Sequence, residues 1–257
     1  MNYITVSDNI FYNSKVSLDY LMSNKNLDSE KLDSVGWIQL RITGEGNDDK
    51  FDDFLNAFID RLKLSYELYF IYSQNIKAKK SRARSYAKLF YYLRKQEGLK
   101  NAAMEDKEID LGPGYSTMAG IIEANRIDPE IIIDELMSNN FRYGYCVQSN
   151  RSNNDLKYYL NLLDEELYEE DESLRLNNVK LIEKFINPFS FLYSYMYTGS
   201  DDLLFTIYSG KEVYNDLESI ITDIISETGQ IEKKVADSKE TDEIVDMYFS
   251  YPRFRKR

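Results

Sequence analysis

The chain of 257 residues contains no histidine and only one cysteine, Cys146. The lack of histidine excludes Ser-His-Asp and Cys-His catalysis and every histidine-ligated zinc or iron site. A single cysteine cannot form an internal disulfide or a site built only from cysteine ligands. Because Cys146 lies in an apolar and aromatic run without a neighbouring base, we expect a buried and inert thiol. The chemistry that remains is that of carboxylates, with lysine or tyrosine as acid–base partners.

Nucleotide-binding loops and membrane segments are also missing from the sequence. Neither a Walker-type loop nor a G-x-G-x-x-G motif follows an expected strand, so nucleotide hydrolysis and dinucleotide binding have no support. Apolar runs stay below the roughly 18 residues that a bilayer span needs, and no charged-then-apolar leader follows Met1. We therefore expect a cytoplasmic protein that has no cofactor, no metal and no membrane partner.

Proline and glycine are scarce, with four and eleven residues, whereas 43% of the chain is hydrophobic and 14% is aromatic. This composition favours helices around a packed core. The range 51–97 contains neither glycine nor proline, and its first half has apolar residues at the three-and-four spacing of a helix. The sequence predicts an α+β, helix-dominated fold with a long central helix or helical hairpin at about 48–97 and a few short strands.

The remaining patterns predict two halves. An N-terminal pair of strands at 3–6 and 37–43 would precede the long helical element in residues 1–111. The break Gly112-Pro113-Gly114 would begin a mixed helical half in residues 112–257, unless the chain is one continuous domain. Further strands are expected at 141–148 and 203–208. Further helices are expected at 118–126, from Asp128-Pro129-Glu130 to about 138, and at 156–167, 174–186, 213–225 and 231–248.

The elements between 116 and 148 resemble a helix-turn-helix followed by the start of a wing. The resemblance implies that the second helix would present Glu130, Ile131, Ile133, Asp134 and Glu135 to a duplex. Carboxylates at these positions would be repelled by phosphates. We therefore favour two helices that pack in the core, with Ile121, Ile122, Ile132 and Leu136 facing inward.

The net charge of −12 conceals a basic segment. Residues 77–100 contain nine basic residues and one acid, which leaves −20 for the rest of the chain. We expect the helix at 77–95 to bind a polyanion or an acidic partner. The candidate binding residues are Lys77, Lys79, Lys80, Arg82, Arg84, Lys88, Tyr91, Arg94 and Lys95. The same segment could instead neutralise the acidic run at 164–172, in which seven of nine residues are carboxylates.

These features favour a non-enzymatic protein that acts in protein–protein interaction or as a subunit of an assembly. Its charge-segregated surfaces and 22 tyrosines would contact a protein partner or a second copy of the chain. The first alternative is nucleic-acid binding through the basic helix 77–95. The second is an acidic, DNA-mimicking inhibitor that uses residues 164–172.

An enzyme that uses carboxylates and a divalent ion is the least favoured hypothesis. The sequence has an acidic cluster at Glu45, Asp48, Asp49, Asp52 and Asp53. Helix capping also favours acidic residues at the start of a helix, and we favour capping over ion binding as the role of this cluster. Glu232 and Lys234 form the E-x-K fragment of some metal-dependent nucleases, but that fragment belongs on a strand beside another acid, whereas a helix is expected at 231–248.

Overall fold

The computed structural model of the chain describes residues 3–7, 36–42, 48–77, 95, 99, 102–112, 115–132, 143–168, 178–197, 203–228 and 232–235. The strands in this part are β1 (Tyr3–Ser7), β2 (Gly36–Ile42), β3 (Tyr66–Lys77), β4 (Met104–Asp110), β5 (Tyr115–Glu123), β6 (Tyr143–Gln148), β7 (Ser190–Tyr197), β8 (Leu203–Ser209) and β9 (Glu232–Val235). The α-helices are α1 (Asp48–Leu62), α2 (Leu156–Leu162), α3 (Asn178–Phe185) and α4 (Lys211–Thr228), and 3-10 turns occur at Ser149–Arg151 and Glu165–Leu167.

The chain forms two compact units. The first unit contains residues 1–47, 187–189 and 195–257, and the second contains residues 48–186 and 190–194. This division differs from the one that the sequence suggested at residues 111 and 112. That position lies in the connection between β4 and β5, which are paired with each other in the second unit.

In the second unit the strands follow the order β4-β5-β3-β6-β7, and each neighbouring pair is antiparallel. Directly paired residues share a face of the sheet, so the registers assign every side chain to one of two faces. Tyr66, Leu68, Phe70 and Tyr72 of β3 lie on the first face. Residues 67, 69, 71 and 73 lie on the second face.

Helices cover both faces of this sheet. On the first face, Phe58 of α1 contacts Tyr193 of β7 edge-to-face at a centroid distance of 6.2 Å. On the second face, Tyr159 of α2 lies 4.7 Å from Tyr69 of β3, and Phe185 of α3 lies 5.2 Å from Tyr145 of β6. The core is therefore two aromatic layers with the sheet between them, which explains why most of residues 66–73 of β3 are buried.

The first unit pairs β8, β2, β1 and β9 in that order. β2 is antiparallel to both β8 and β1, which confirms the expected N-terminal strand pair, and β9 runs parallel to β1. α4 lies against β2 and β9. Its buried residues are Val213, Tyr214, Leu217, Ile221, Ile224 and Ile225, and the helix expected at 213–225 is confirmed.

The predicted helix-dominated fold with a few short strands is wrong, because nine strands, most of them in antiparallel pairs, form the framework of the described residues and the helices pack on them. The central helix is correct for 48–62 but stops at the turn 63–65, and 66–77 is β3. A strand that is covered on both faces has a continuous apolar run instead of alternation, and such a run also matches a helical stripe.

Two further helices are corrected in the same way. Residues 115–123 form β5 rather than a helix, so the helix-turn-helix resemblance at 116–148 is wrong in its first element. Residues 232–235 form β9 rather than the start of a helix. The expected helix start at Asp128-Pro129-Glu130 is confirmed, because the Asp128 carboxylate accepts a hydrogen bond from the Glu130 amide at 3.0 Å.

Candidate binding surface of the second unit

Three loops meet where β3 begins and where β5 and β6 end. We call residues 60–65, 124–130 and 148–158 the three-loop surface; it comprises these loops and the adjoining helix ends. The Ser149 amide donates to the carbonyl of Ser65 at 3.0 Å, which joins the third loop to the first. The Lys63 ammonium donates to the carbonyl of Ile127 at 2.6 Å, which joins the first loop to the second. Each loop is thus held by a neighbour that is distant in sequence.

Asn125 fixes the second loop to the edge of β3. Its side-chain oxygen accepts a hydrogen bond from the Leu68 amide at 2.7 Å, and its side-chain nitrogen donates one to the Tyr66 carbonyl at 2.9 Å. The Ala124 amide also donates to the Leu68 carbonyl at 2.7 Å. The amide side chain of Asn125 therefore continues the strand pairing by about one residue after β5 has ended.

Hydroxyl groups fix the third loop. Ser152 Oγ lies 2.9 Å from the Tyr69 hydroxyl and 3.3 Å from the Tyr159 hydroxyl, and the Asn153 amide donates to Tyr159 at 3.0 Å. Burial raises the pKa of the Tyr69 hydroxyl well above its usual range, and the bond to Ser152 opposes that rise. Tyr69 consequently remains protonated under ordinary conditions, and its hydroxyl can donate as well as accept.

Two carboxylates flank this hydroxyl cluster on the second face. Glu123 is paired directly with Tyr69, and Glu67 lies two residues before Tyr69 on the same strand. Partial burial raises the pKa of Glu67, and the nearby charge of Glu123 raises it further. Partial burial lowers the pKa of Lys63, although Asp60 and Asp128 oppose that change. The charged groups at this end of the sheet are therefore close enough to influence one another.

The outer side of the three-loop surface combines exposed apolar groups with balanced charge. Leu64 is 84% exposed and Tyr158 is 48% exposed, and these are the large apolar side chains most open to solvent in the described part of the chain. The surface contains five basic and four acidic residues, a net charge of +1 in a chain of −12. Such a surface offers no excess positive charge to phosphates, and it fits a protein better than a polyanion.

The predicted binding helix at 77–95 falls mostly outside the described residues. Lys77 is the last residue of the strand β3, so its predicted helical conformation is wrong. Lys95 is exposed and helical. The other seven candidates lie in the undescribed range 78–94, so their role in binding stays a prediction. They are Lys79, Lys80, Arg82, Arg84, Lys88, Tyr91 and Arg94.

The start of the acidic run 164–172 forms ion pairs with a lysine of the same compact unit. Lys184 of α3 forms an ion pair with Asp164 and a second one with Glu166 at 3.2 Å. The Tyr168 hydroxyl lies 2.9 Å from Ser73 Oγ, which holds the middle of this run against the sheet. Two of the seven carboxylates are therefore partly compensated, which weakens the support for the DNA-mimic hypothesis.

The other sequence candidates gain little from the structure. Cys146 is fully buried, and burial raises the pKa of its thiol, so the expectation of a buried thiol is confirmed. Glu232 and Lys234 do lie on a strand, β9, but the adjacent strand β1 contains no acid. Asp53 is exposed on α1. Within the ranges that the structure describes, no three potential ligands gather where they could hold a metal ion.

No family model matches the chain, and no curated protein matches it. None of the helices in the described ranges combines the length and apolar character that crossing a bilayer requires. A proposed function therefore depends on the three-loop surface. Sequence reasoning missed that surface, because it assigned Leu64 to the interior of a long helix.

Proposed function

We propose that the protein is a non-enzymatic interaction protein, a cytoplasmic subunit of an assembly, and that it binds a protein partner through the three-loop surface. One observation carries this proposal: an 84% exposed Leu64 projects from loops that are held in place by long-range hydrogen bonds. A surface that is already ordered loses little conformational entropy when it binds.

The electrostatics of the same surface favour a protein partner. The three-loop surface has exposed charges of both signs, the basic Arg126 and Lys157 and the acidic Asp128 and Asp155. Protein–protein interfaces combine apolar side chains with charges of both signs, and this surface offers both. The expected contribution of the basic segment 77–95 to binding remains part of this proposal as a second contact.

A photo-crosslinking amino acid in place of Leu64, introduced into the full chain in its native cells, tests the proposal. The matched control has the same crosslinker at Asn215, which is exposed on α4 of the first unit. We expect irradiation to give one adduct of defined mass from position 64 and none of that mass from position 215. An equal yield of adducts from both positions, or none from position 64, would contradict the proposal.

A further inference from the structure

We infer that a row of carboxylates on the edge strand β4 is the docking site for the basic segment 78–94 of the same chain. We call this set the acidic row; it consists of Asp106, Glu108 and Asp110. Asp106 is paired with Gly120, and Gly120 is paired with Tyr72, so the acidic row lies on the first face of the sheet. The inference does not depend on the three-loop surface.

The connection from β3 to β4 has to return along the whole sheet. Both strands are antiparallel to β5, which lies between them, so they run in the same direction. Lys77 ends β3 beside Tyr115, where β5 begins. Met104 begins β4 beside Ile122, near the other end of β5. Residues 78–103 must therefore cross one face of the sheet, and they are long enough to do so even at the rise of a helix, about 1.5 Å per residue.

The hand of this connection selects the first face. The Glu123 amide donates to the carbonyl of its partner Ala103 at 2.9 Å, so the odd-numbered residues of β4 direct their backbone groups towards β5. Their side chains lie on the second face, because Lys107 is paired with Ala119 and Ala119 with Ser73.

For L-amino acids this arrangement fixes the order of the strands. When the second face is viewed with β4 running upward, β5 lies to the right of β4, and β3 lies beyond β5. A connection that moves from β3 on the right to β4 on the left is right-handed only if it passes behind the sheet, over the first face. Connections between parallel strands of one sheet are right-handed in about 98% of cases.

Packing on the two faces agrees with this choice. α2 lies against β4 and β5, and its Tyr159 contacts Tyr69 on the second face, so the second face is already covered there. On the first face, Met118 and Ser116 of β5 are 6% and 1% exposed. α1 is on this face too, but it contacts Tyr193 of β7, three strands from β5. The low exposure of β5 on the first face is what a segment lying over it would produce.

Charge complementarity indicates what the segment contacts. Residues 78–94 contain six basic residues and no acid, whereas the acidic row has a carboxylate at every second position of β4. Partial burial raises the pKa of Asp106, and a cation beside it would offset the cost of burying that charge. The described start of the acidic run, 164–168, lies on the second face, where Tyr168 contacts Ser73. The acidic row is therefore the nearer partner for a segment on the first face.

Carbodiimide coupling of the full chain tests the inference, because it joins a carboxylate to a lysine amine only when the two groups are in contact. Mass spectrometry of wild type should find amide links from the acidic row to Lys79, Lys80 or Lys88. Neutralising the row should remove these links, in a variant that combines Asp106→Asn, Glu108→Gln and Asp110→Asn. Glu105→Gln should leave them unchanged; Glu105 is a matched control because it is on the same strand but on the second face.

The positions of the links decide the outcome. Links to the segment from Glu105, or from Glu165 or Glu166 of the acidic run, would overturn the inference, as would the absence of links from the acidic row. In an equal mixture of unlabelled and nitrogen-15-labelled chains, we expect links within one chain only. Links that join a light chain to a heavy chain would show docking on a second copy and would also overturn the inference. The wild-type links identify the face by themselves, so the test holds even if the triple variant does not fold.

Discussion

The ring of Tyr72 lies directly across from Gly120 and occupies the space that a Cβ atom at that position would need. Tyr72 is fully buried on β3, and Gly120 is its paired residue on β5. The same arrangement recurs between Tyr193 of β7 and Gly144 of β6. In both pairs a large aromatic ring covers a strand glycine, which fills the gap left by the missing side chain and helps to fix the strand register.

We expect Gly120→Ala to destabilise the second unit. The new methyl group would collide with the fully buried ring of Tyr72, and overpacking of this kind costs about 1–3 kcal/mol. Chemical denaturation would measure the loss in the free energy of unfolding. In a Tyr72→Leu background the same substitution should cost much less, because the obstructing ring is gone. Equal costs in the two backgrounds would show that the ring is not the cause.

Asn125→Asp should loosen the second loop of the three-loop surface. The aspartate retains the acceptor for the Leu68 amide but places a negative oxygen against the Tyr66 carbonyl, and a lost buried hydrogen bond costs about 1–3 kcal/mol. Amide hydrogen exchange should become faster at residues 124–128 above the pKa of the new carboxyl. Below that pKa the protonated group can donate again, so protection should partly return. A loss of protection, compared with wild type at the same pH, that is equal above and below that pKa would argue against a role for the bond to Tyr66.

Glu67→Gln should stabilise the protein at neutral pH. The folded state raises the pKa of Glu67, so it binds the proton more tightly than the unfolded state does. Wild type therefore loses stability as the pH rises through the interval between the ordinary glutamate pKa and the raised folded value. The glutamine variant lacks this loss.

Melting temperatures measured across that pH interval would test whether wild type loses stability as the pH rises. The gain of Glu67→Gln should be full above the interval and should vanish below the ordinary glutamate pKa. Glu130→Gln provides a matched control, because Glu130 is exposed and carries a carboxylate of the same type. A larger gain for Glu67→Gln at acidic pH than at neutral pH would contradict the assigned direction.

Cys146 should resist thiol reagents in the folded protein. It is fully buried on β6, and burial raises the pKa of its thiol, so both access and the reactive thiolate are suppressed. Reaction with an aromatic disulfide should be slow in buffer and fast in denaturant. The rate in buffer should follow the opening of the sheet, and destabilising the fold with Gly120→Ala should increase it. Rapid labelling of the intact protein would show that β6 is accessible.

Elements with one buried face could be predicted from the sequence, and fully covered strands could not. α4 shows a clear amphipathic period, and the Asp128-Pro129-Glu130 start is marked by capping chemistry that is local. β3 and β5 were assigned to helices because both of their faces are buried. In Tyr66–Tyr72 almost every residue is apolar or aromatic, so neither the period of a helix nor that of a strand stands out.

The sequence by itself determined which catalytic and metal-binding chemistries this protein cannot use and how charge is distributed along the chain. These properties depend on which residues are present, and the absence of histidine excludes histidine chemistry whatever the fold. Only the tertiary structure decided that Lys63 meets Ile127 and that Tyr69 meets Ser152, pairs that are 64 and 83 residues apart. The registers of β3 with β5 and β6 bring those loops together, and a register is selected by packing on both faces of the sheet, which no local pattern encodes.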